Sequence, residues 1–169
     1  MDFIIRQCLP DDAEQIIAYM SLISAEPGIS IVVQAGEFKL TVEQERQFIA
    51  DRWAEDNSLF LVADAGGEIV GALTLRGGAR RAIRHEAVLG ITVKKEWRGC
   101  GVGNALMANA VDWAKRSGVI TRIELQVFTS NTTAIHLYQK HGFEIEGRRR
   151  KAVFREGVYH DDYVMALLF

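Results

Sequence analysis

Hydrophobic and polar positions along the 169-residue chain alternate between a helical and a strand period. Val102, Leu106, Ala110, Trp113 and Ala114 recur at helical spacing, which predicts a helix ending near Ser117 with Gly118 as its C-cap. Before it, residues 87–93 read as a buried strand, apolar apart from Gly90 and Thr92. After it, residues 122–128 alternate as a further strand. Strand, helix and strand in that order predict two parallel strands with a right-handed crossover. Nearer the N-terminus, Pro10-Asp11-Asp12-Ala13 opens a helix with acidic residues at its positive end, and Ala13, Ile16, Ile17, Met20 and Ile23 share one face. Thr41 and Gln44 have capping-box spacing, starting a helix expected to turn Val42, Ile49 and Trp53 inward. Further strands are predicted at 3–7, 59–64, 68–76, 143–146 and 163–168, with a hairpin turn at Gly66-Gly67. A short helix spans 131–141 and stops at Gly142. The basic run Arg148-Arg149-Arg150-Lys151 is expected in a solvated turn between the last two strands, with another turn at Glu156-Gly157. Residues 25–40, carrying Pro27, Gly28 and Gly36, form a long irregular connection of the kind that serves as a functional lid. No repeat or linker divides the chain, so residues 1–169 read as one α/β domain.

Composition narrows the class without choosing a function. Apolar residues make up 49% and charged residues 25%, with a net charge of −2, so no overall basic surface points to nucleic acid. No apolar run approaches the roughly 18 residues of a membrane helix. Met1-Asp2-Phe3-Ile4-Ile5-Arg6 lacks the basic-then-apolar order of a secretory signal. Cys8 and Cys100 build neither a disulfide framework nor a metal cluster. The expectation is a cytoplasmic protein with reduced thiols, no metal, no membrane and no nucleic-acid partner.

The candidate chemistry begins between the central strand and its helix, at Arg98-Gly99-Cys100-Gly101-Val102-Gly103-Asn104. A strand passing through a glycine-rich turn into a helix presents unpaired N–H groups at the positive end of the helix dipole, a ready site for a diphosphate. It is not a P-loop, because Gly103 is followed by Asn104 and Ala105 rather than Lys and Ser or Thr. Nor is it a dinucleotide fingerprint: counting from Gly99 the sixth position is Asn104, and from Gly101 it is Leu106.

Arg98-x-x-Gly101-x-Gly103 resembles the acetyl-CoA signature of the GNAT superfamily of N-acetyltransferases. A second motif, Asn131-x-x-Ala134-x-x-Leu137-Tyr138-x-x-x-Gly142-Phe143, resembles the second half of that family's cofactor site. Ala134 and Tyr138 share a helix face, and the two motifs are separated by one helix and one strand. The likeness spans nearly the whole chain and is greatest to bacterial members that acetylate amino acids, small amines or ribosomal-protein N-termini. It implies a GNAT-like fold: a mixed, mostly antiparallel twisted sheet of about seven strands, a central parallel βαβ unit and about four helices.

The resemblance also implies a mechanism. Acetyl-CoA is the co-substrate, its pantetheine lying along Ile91, Thr92 and Val93 where the central strand and its parallel neighbour splay apart. The amides from Gly99 to Asn104, Cys100 and Val102 among them, hold the diphosphate, with Arg98 adding charge and Asn131, Ala134 and Tyr138 completing the site. Lys94 and Lys95 read as a solvated strand end. Tyr138 is the general acid at the departing sulfur, and the Val93 N–H stabilises the oxyanion. The base is less defined. Where ribosomal-protein-type members carry a glutamate this chain has Gln126, and where many others carry an acid on the fourth strand it has Val88. Glu86 is the first substitute; Glu124, His85 or water are the others. An acetyl-cysteine route through Cys100 is disfavoured, because that position lies beside the diphosphate and far from the thioester. Two readings follow: direct transfer to a primary amine, or a non-catalytic acyl-CoA-binding module with the same fold. The acceptor is not written in the sequence, being set by residues 25–40, 77–86 and 148–160. Homodimers are common in the family the chain resembles.

Overall fold

A computed structural model of the chain describes residues 2–169. The elements run β1 (Ile4–Gln7), α1 (Ala13–Ser24), α2 (Val42–Ala54), β2 (Leu59–Ala65), β3 (Glu68–Gly77), β4 (Glu86–Val93), α3 (Val102–Ser117), β5 (Arg122–Phe128), α4 (Thr132–Lys140), β6 (Glu144–Arg155) and β7 (Val158–Leu168). The strands make one sheet in the order β1-β2-β3-β4-β5-β7-β6. Every neighbouring pair is antiparallel except β4–β5, which is parallel and bridged by α3. This is the mixed sheet and central βαβ unit that the motifs imply.

Strand alternation gives the sheet two apolar faces. Leu73, Leu75, Ala87, Leu89, Ile123 and Leu125 pack under Leu106, Met107 and Ala110 of α3 and Tyr138 of α4. On the opposite face, Phe60, Val62 and Ala72 meet Ile16, Tyr19 and Ile23 of α1 and Ile49 of α2. Close contact of α3 with the sheet depends on Gly71, where a Cβ would stand 2.8 Å from Val102 Cγ1.

Two expectations need correcting. The capping box of α2 is present, with Gln44 N–H donating to Thr41 Oγ1 (3.2 Å) and Thr41 N–H to Gln44 Oε1 (2.9 Å). Its buried face, however, carries Glu45 and Ile49, with Phe48 partly covered, while Val42 and Trp53 remain 39% and 49% exposed. Trp53 is tied down by its indole N–H, which donates to the Cys8 carbonyl at 2.7 Å, so the ring need not enter the core. Glu45, sealed in that face, has its carboxyl pKa raised by burial.

The second correction concerns the basic run, which lies inside β6 rather than in a turn. The charges of Arg148 and Arg149 are neutralised across the ladder by Asp161 and Asp162. The ladder makes room through irregularities between Ile145 and Gly147 and between Arg149 and Val153. The Glu156-Gly157 turn is as expected, both residues having positive φ (50° and 79°), as a two-residue hairpin loop between twisted strands requires. Just before it, buried Arg155 donates to the carbonyls of Ser24, Ile31 and Val33, strapping the 25–40 connection to the hairpin.

Candidate active site

The β4–β5 register consists of Glu86↔Arg122, Ala87↔Ile123 and Val88↔Glu124, and goes no further. Beyond Val88 the two strands diverge. On its other side β4 stays paired with β3 as far as Val93, and Lys94 N–H donates to the Val70 carbonyl at 2.9 Å. In an antiparallel ladder alternate residues point their backbone groups to opposite sides. Thr92, which has the parity of Lys94, therefore bonds toward β3, while Ile91 and Val93 direct their N–H groups toward the gap. Arg98 Nε–H takes up the Val93 carbonyl at 3.0 Å. The strand that sequence reading assigned to pantetheine thus offers an unpaired edge inside a sheet.

At the end of that edge, Gly99 and Gly101 adopt φ of 74° and 87°, and a Cβ at either would meet open space. Their positive φ, which side-chain-bearing residues rarely adopt, turns the chain into α3 at Val102. The first intrahelical bond is Ala105 N–H to the Gly101 carbonyl (3.0 Å). The amides of Val102, Gly103 and Asn104 are thus the orphan donors of the first turn. Asn104 Oδ1 lies 3.2 Å from His141 Nε2, linking the start of α3 to the end of α4, and burial with the Lys140 charge lowers the His141 pKa. Arg98 is turned toward Glu26, whose carboxyl it holds below its ordinary pKa. Lys94 pairs with Glu68, so its charge is already committed; Lys95 and Cys100 are exposed.

The second motif closes the other side. Asn131 caps α4, its Oδ1 accepting from Ala134 N–H at 3.2 Å. Ala134 and Leu137 pack on the α3 face, and Leu137 Cδ2 would stand 3.3 Å from a Cβ at Gly103. Tyr138 is 7% exposed beside Phe143, with burial pushing its phenol up to about 12. Among the described residues no charge and no hydrogen bond offsets that burial, so the hydroxyl is held neutral.

The candidate bases separate by their partners. Glu124 accepts from Arg122 at 2.8 Å and from Gln126 Nε2 at 3.4 Å, so it is a carboxylate already used in an ion pair. Glu86 has no such partner among the described residues, and it lies on the same side of β4 as Val88 and Gly90, where the strands begin to part. His85 and His136 are exposed.

Sequence reading missed three elements of this region. Tyr19 is buried on α1, its pKa pushed up to about 12 by desolvation, and donates to Thr92 Oγ1 at 2.9 Å, fixing α1 to β4. Its spacing from Ile16 and Ile23 would have placed it on the inward face. Arg52 and Arg76, by contrast, line one pocket of about 170 Å³ with Phe48, Thr74, Val88 and Gly90, on the α2 side of the sheet. Only the packing of α2 over β3 and β4 brings them together, and no local pattern signals it. A larger hollow of about 440 Å³ lies at the β1 edge between Phe3, Asp64 and Gly67, three strands from β4 and without chemistry to match.

Comparison with known proteins agrees with this geometry. Residues 29–143 match the model of the acetyltransferase (GNAT) family. An L-amino acid N-acetyltransferase of Escherichia coli, AaaT, is 42% identical over 106 residues, which are 63% of this chain and 65% of that protein. The chain thus aligns with just under two thirds of that relative's length. A GNAT-family acetyltransferase from Streptococcus pneumoniae superposes with a TM-score of 0.95 at 33% identity, over 99% of both chains. The fold is shared with a phosphinothricin acetyltransferase from Sinorhizobium meliloti solved with acetyl-CoA, with a TM-score of 0.86 at 19% identity over 100% of this chain and 89% of that one. With both motifs in place around the β4–β5 opening, the chain belongs to the acetyltransferase (GNAT) family and is an acyltransferase of the N-acetyltransferase class.

Proposed function

We propose that this chain moves the acetyl group of acetyl-CoA directly to a primary amine within a ternary complex. The observation that carries the reading is the β4 edge itself: backbone groups of Ile91 and Val93 face an opening between strands, with the α3 amides at one end and Tyr138 beside it. The Val102–Asn104 amides and Arg98 hold the diphosphate, and the Asn131-capped start of α4 borders it. Pantetheine lies along Ile91, Thr92 and Val93 and bonds to the gap-facing backbone of Ile91 and Val93 as an added strand would.

The amine nitrogen attacks the thioester carbon, and the carbon–sulfur bond breaks. Charge developing on the carbonyl oxygen is met by the Val93 N–H. Tyr138 gives its proton to the departing sulfur. A thiol has a pKa near 8.5, so donation from a phenol is transient: the neutral thiol remains, and the phenol regains through solvent the proton that the nitrogen sheds after attack as it becomes the amide. Before attack, the ammonium form of an amine with a pKa near 10 must lose a separate proton, at about 1.4 kcal/mol per pKa unit at neutral pH. Glu86, directly or through water, is the acceptor for it. The name of the Escherichia coli relative supports an amino acid as the amine.

Steady-state thiol release on a panel of amino acids, polyamines, aminoglycosides and peptide N-termini tests the proposal. Turnover of at least one amine, dependent on both substrates in a sequential pattern, is expected. Tight acetyl-CoA binding without turnover of any amine overturns it in favour of a binding module, the reading that Val88 and Gln126 keep open.

A further inference from the structure

The pocket on the α2 side of the sheet is lined by two positive charges and no negative one. It lies against Val88 and Gly90, on either side of the residue where β4 leaves β5. Gly90 adds no side chain to it. Arg52 is largely covered, with 13% of its side chain exposed, and its guanidinium sits 4.9 Å above the Phe48 ring. One terminal nitrogen reaches Glu55 at 3.0 Å, while Nε is buried without a hydrogen-bond partner. Arg76 is exposed and has no carboxylate partner among the described residues.

We propose that Arg52 and Arg76 form a carboxylate subsite for the acceptor, so that the amine substrate is a small α-amino acid. This rests on the transferase reading and adds the chemistry of its second substrate. A carboxylate has two acceptor oxygens and no donor, matching a pocket whose charged groups can only donate. Size points the same way: about 170 Å³ is below the roughly 300 Å³ at which pockets accept larger ligands. A peptide N-terminus would bring its chain but not a nearby carboxylate, and a polyamine would bring a second positive charge toward two arginines.

The test compares an L-amino acid with its carboxamide and its decarboxylated amine, by thiol release and by calorimetric titration into the CoA complex. Wild-type protein is expected to favour the acid on the order of tenfold to a hundredfold in kcat/KM, the range of hydrogen bonds to charged groups. Arg76→Gln and Arg52→Lys should raise KM for the acid and narrow that preference, while KM for the decarboxylated amine stays put. Arg76→Gln, at an exposed position, keeps the test valid if changes at Arg52 impair folding. Equal use of acid and carboxamide, or a preference that survives both substitutions, overturns the subsite. Binding of the acid with no transfer to any amine of the panel supports the subsite and overturns the transferase reading; transfer to another amine without binding of the acid overturns the subsite alone.

Discussion

Arg98 and Glu26 meet in a two-pronged ion pair, each terminal nitrogen of the guanidinium on one carboxylate oxygen, at 2.5 and 2.7 Å. The pair ties the first residues after α1 to the glycine turn ahead of α3. It also places an anion beside the residue assigned to bind the diphosphate. Substituting Glu26→Gln is therefore expected to tighten acetyl-CoA binding by roughly 1.4- to fivefold, the 0.2–1 kcal/mol scale of an exposed pair. Calorimetric titration of the two proteins checks this; weaker binding by the variant would mean that Glu26 positions Arg98 rather than competing for it.

Tyr138→Phe removes the proton donor and keeps the ring against Phe143. The expected result is a fall in kcat of about 10²- to 10⁴-fold with KM for acetyl-CoA largely retained. An unchanged kcat across pH would remove Tyr138 from the chemistry.

Burial of two phenols sets an alkaline limit on stability. Tyr19 and Tyr138 have their pKa values raised from 10.0 to about 12 by desolvation. Between those values the folded state binds more protons than the unfolded one, so stability falls as pH rises. Their contribution is complete below about pH 10 and is lost as pH climbs through about 12. Melting temperature measured from pH 8 to 12 should drop over that window. Tyr138→Phe should flatten part of the drop, and identical curves for both proteins would contradict the assignment.

Arg155 is 5% exposed and donates to two carbonyls of the 25–40 connection, Ile31 and Val33, and to that of Ser24 at the end of α1. Arg155→Met is expected to cost about 2–4 kcal/mol, the scale of losing hydrogen bonds to a buried charge. Amide exchange in residues 24–33 should quicken more than in α3. Uniform quickening throughout the chain would indicate general destabilisation instead.

What could be read from the residues alone follows how local each signal is. The glycine turn and the Thr41–Gln44 box depend on neighbours a few positions away, and each stands where its spacing put it. The family fold was accessible for the same reason, since both motifs sit at strand-to-helix junctions. The pull of Asp161 and Asp162 on Arg148 and Arg149 acts across a ladder, so the basic run was misread as a turn. Val42 and Trp53 look apolar enough for a core, but the sheet beneath α2 receives Ile49 instead. Arg52 and Arg76 are separated in sequence by two strands' worth of chain and share a pocket only through tertiary packing. The ion pair of Glu124 with Arg122, which singles out Glu86, is likewise invisible until β5 is folded.

Because the β4–β5 ladder consists of Glu86, Ala87 and Val88, with the His85 carbonyl accepting from Thr121 and Arg122 N–H just before it, β1–β4 and β5–β7–β6 meet along one short seam beneath α3. Any molecule wedged beyond Val88 becomes mortar as well as reactant, stitching the two parts of the sheet along a line the polypeptide leaves unsewn. Filling that opening is then expected to stiffen the fold as well as feed its chemistry.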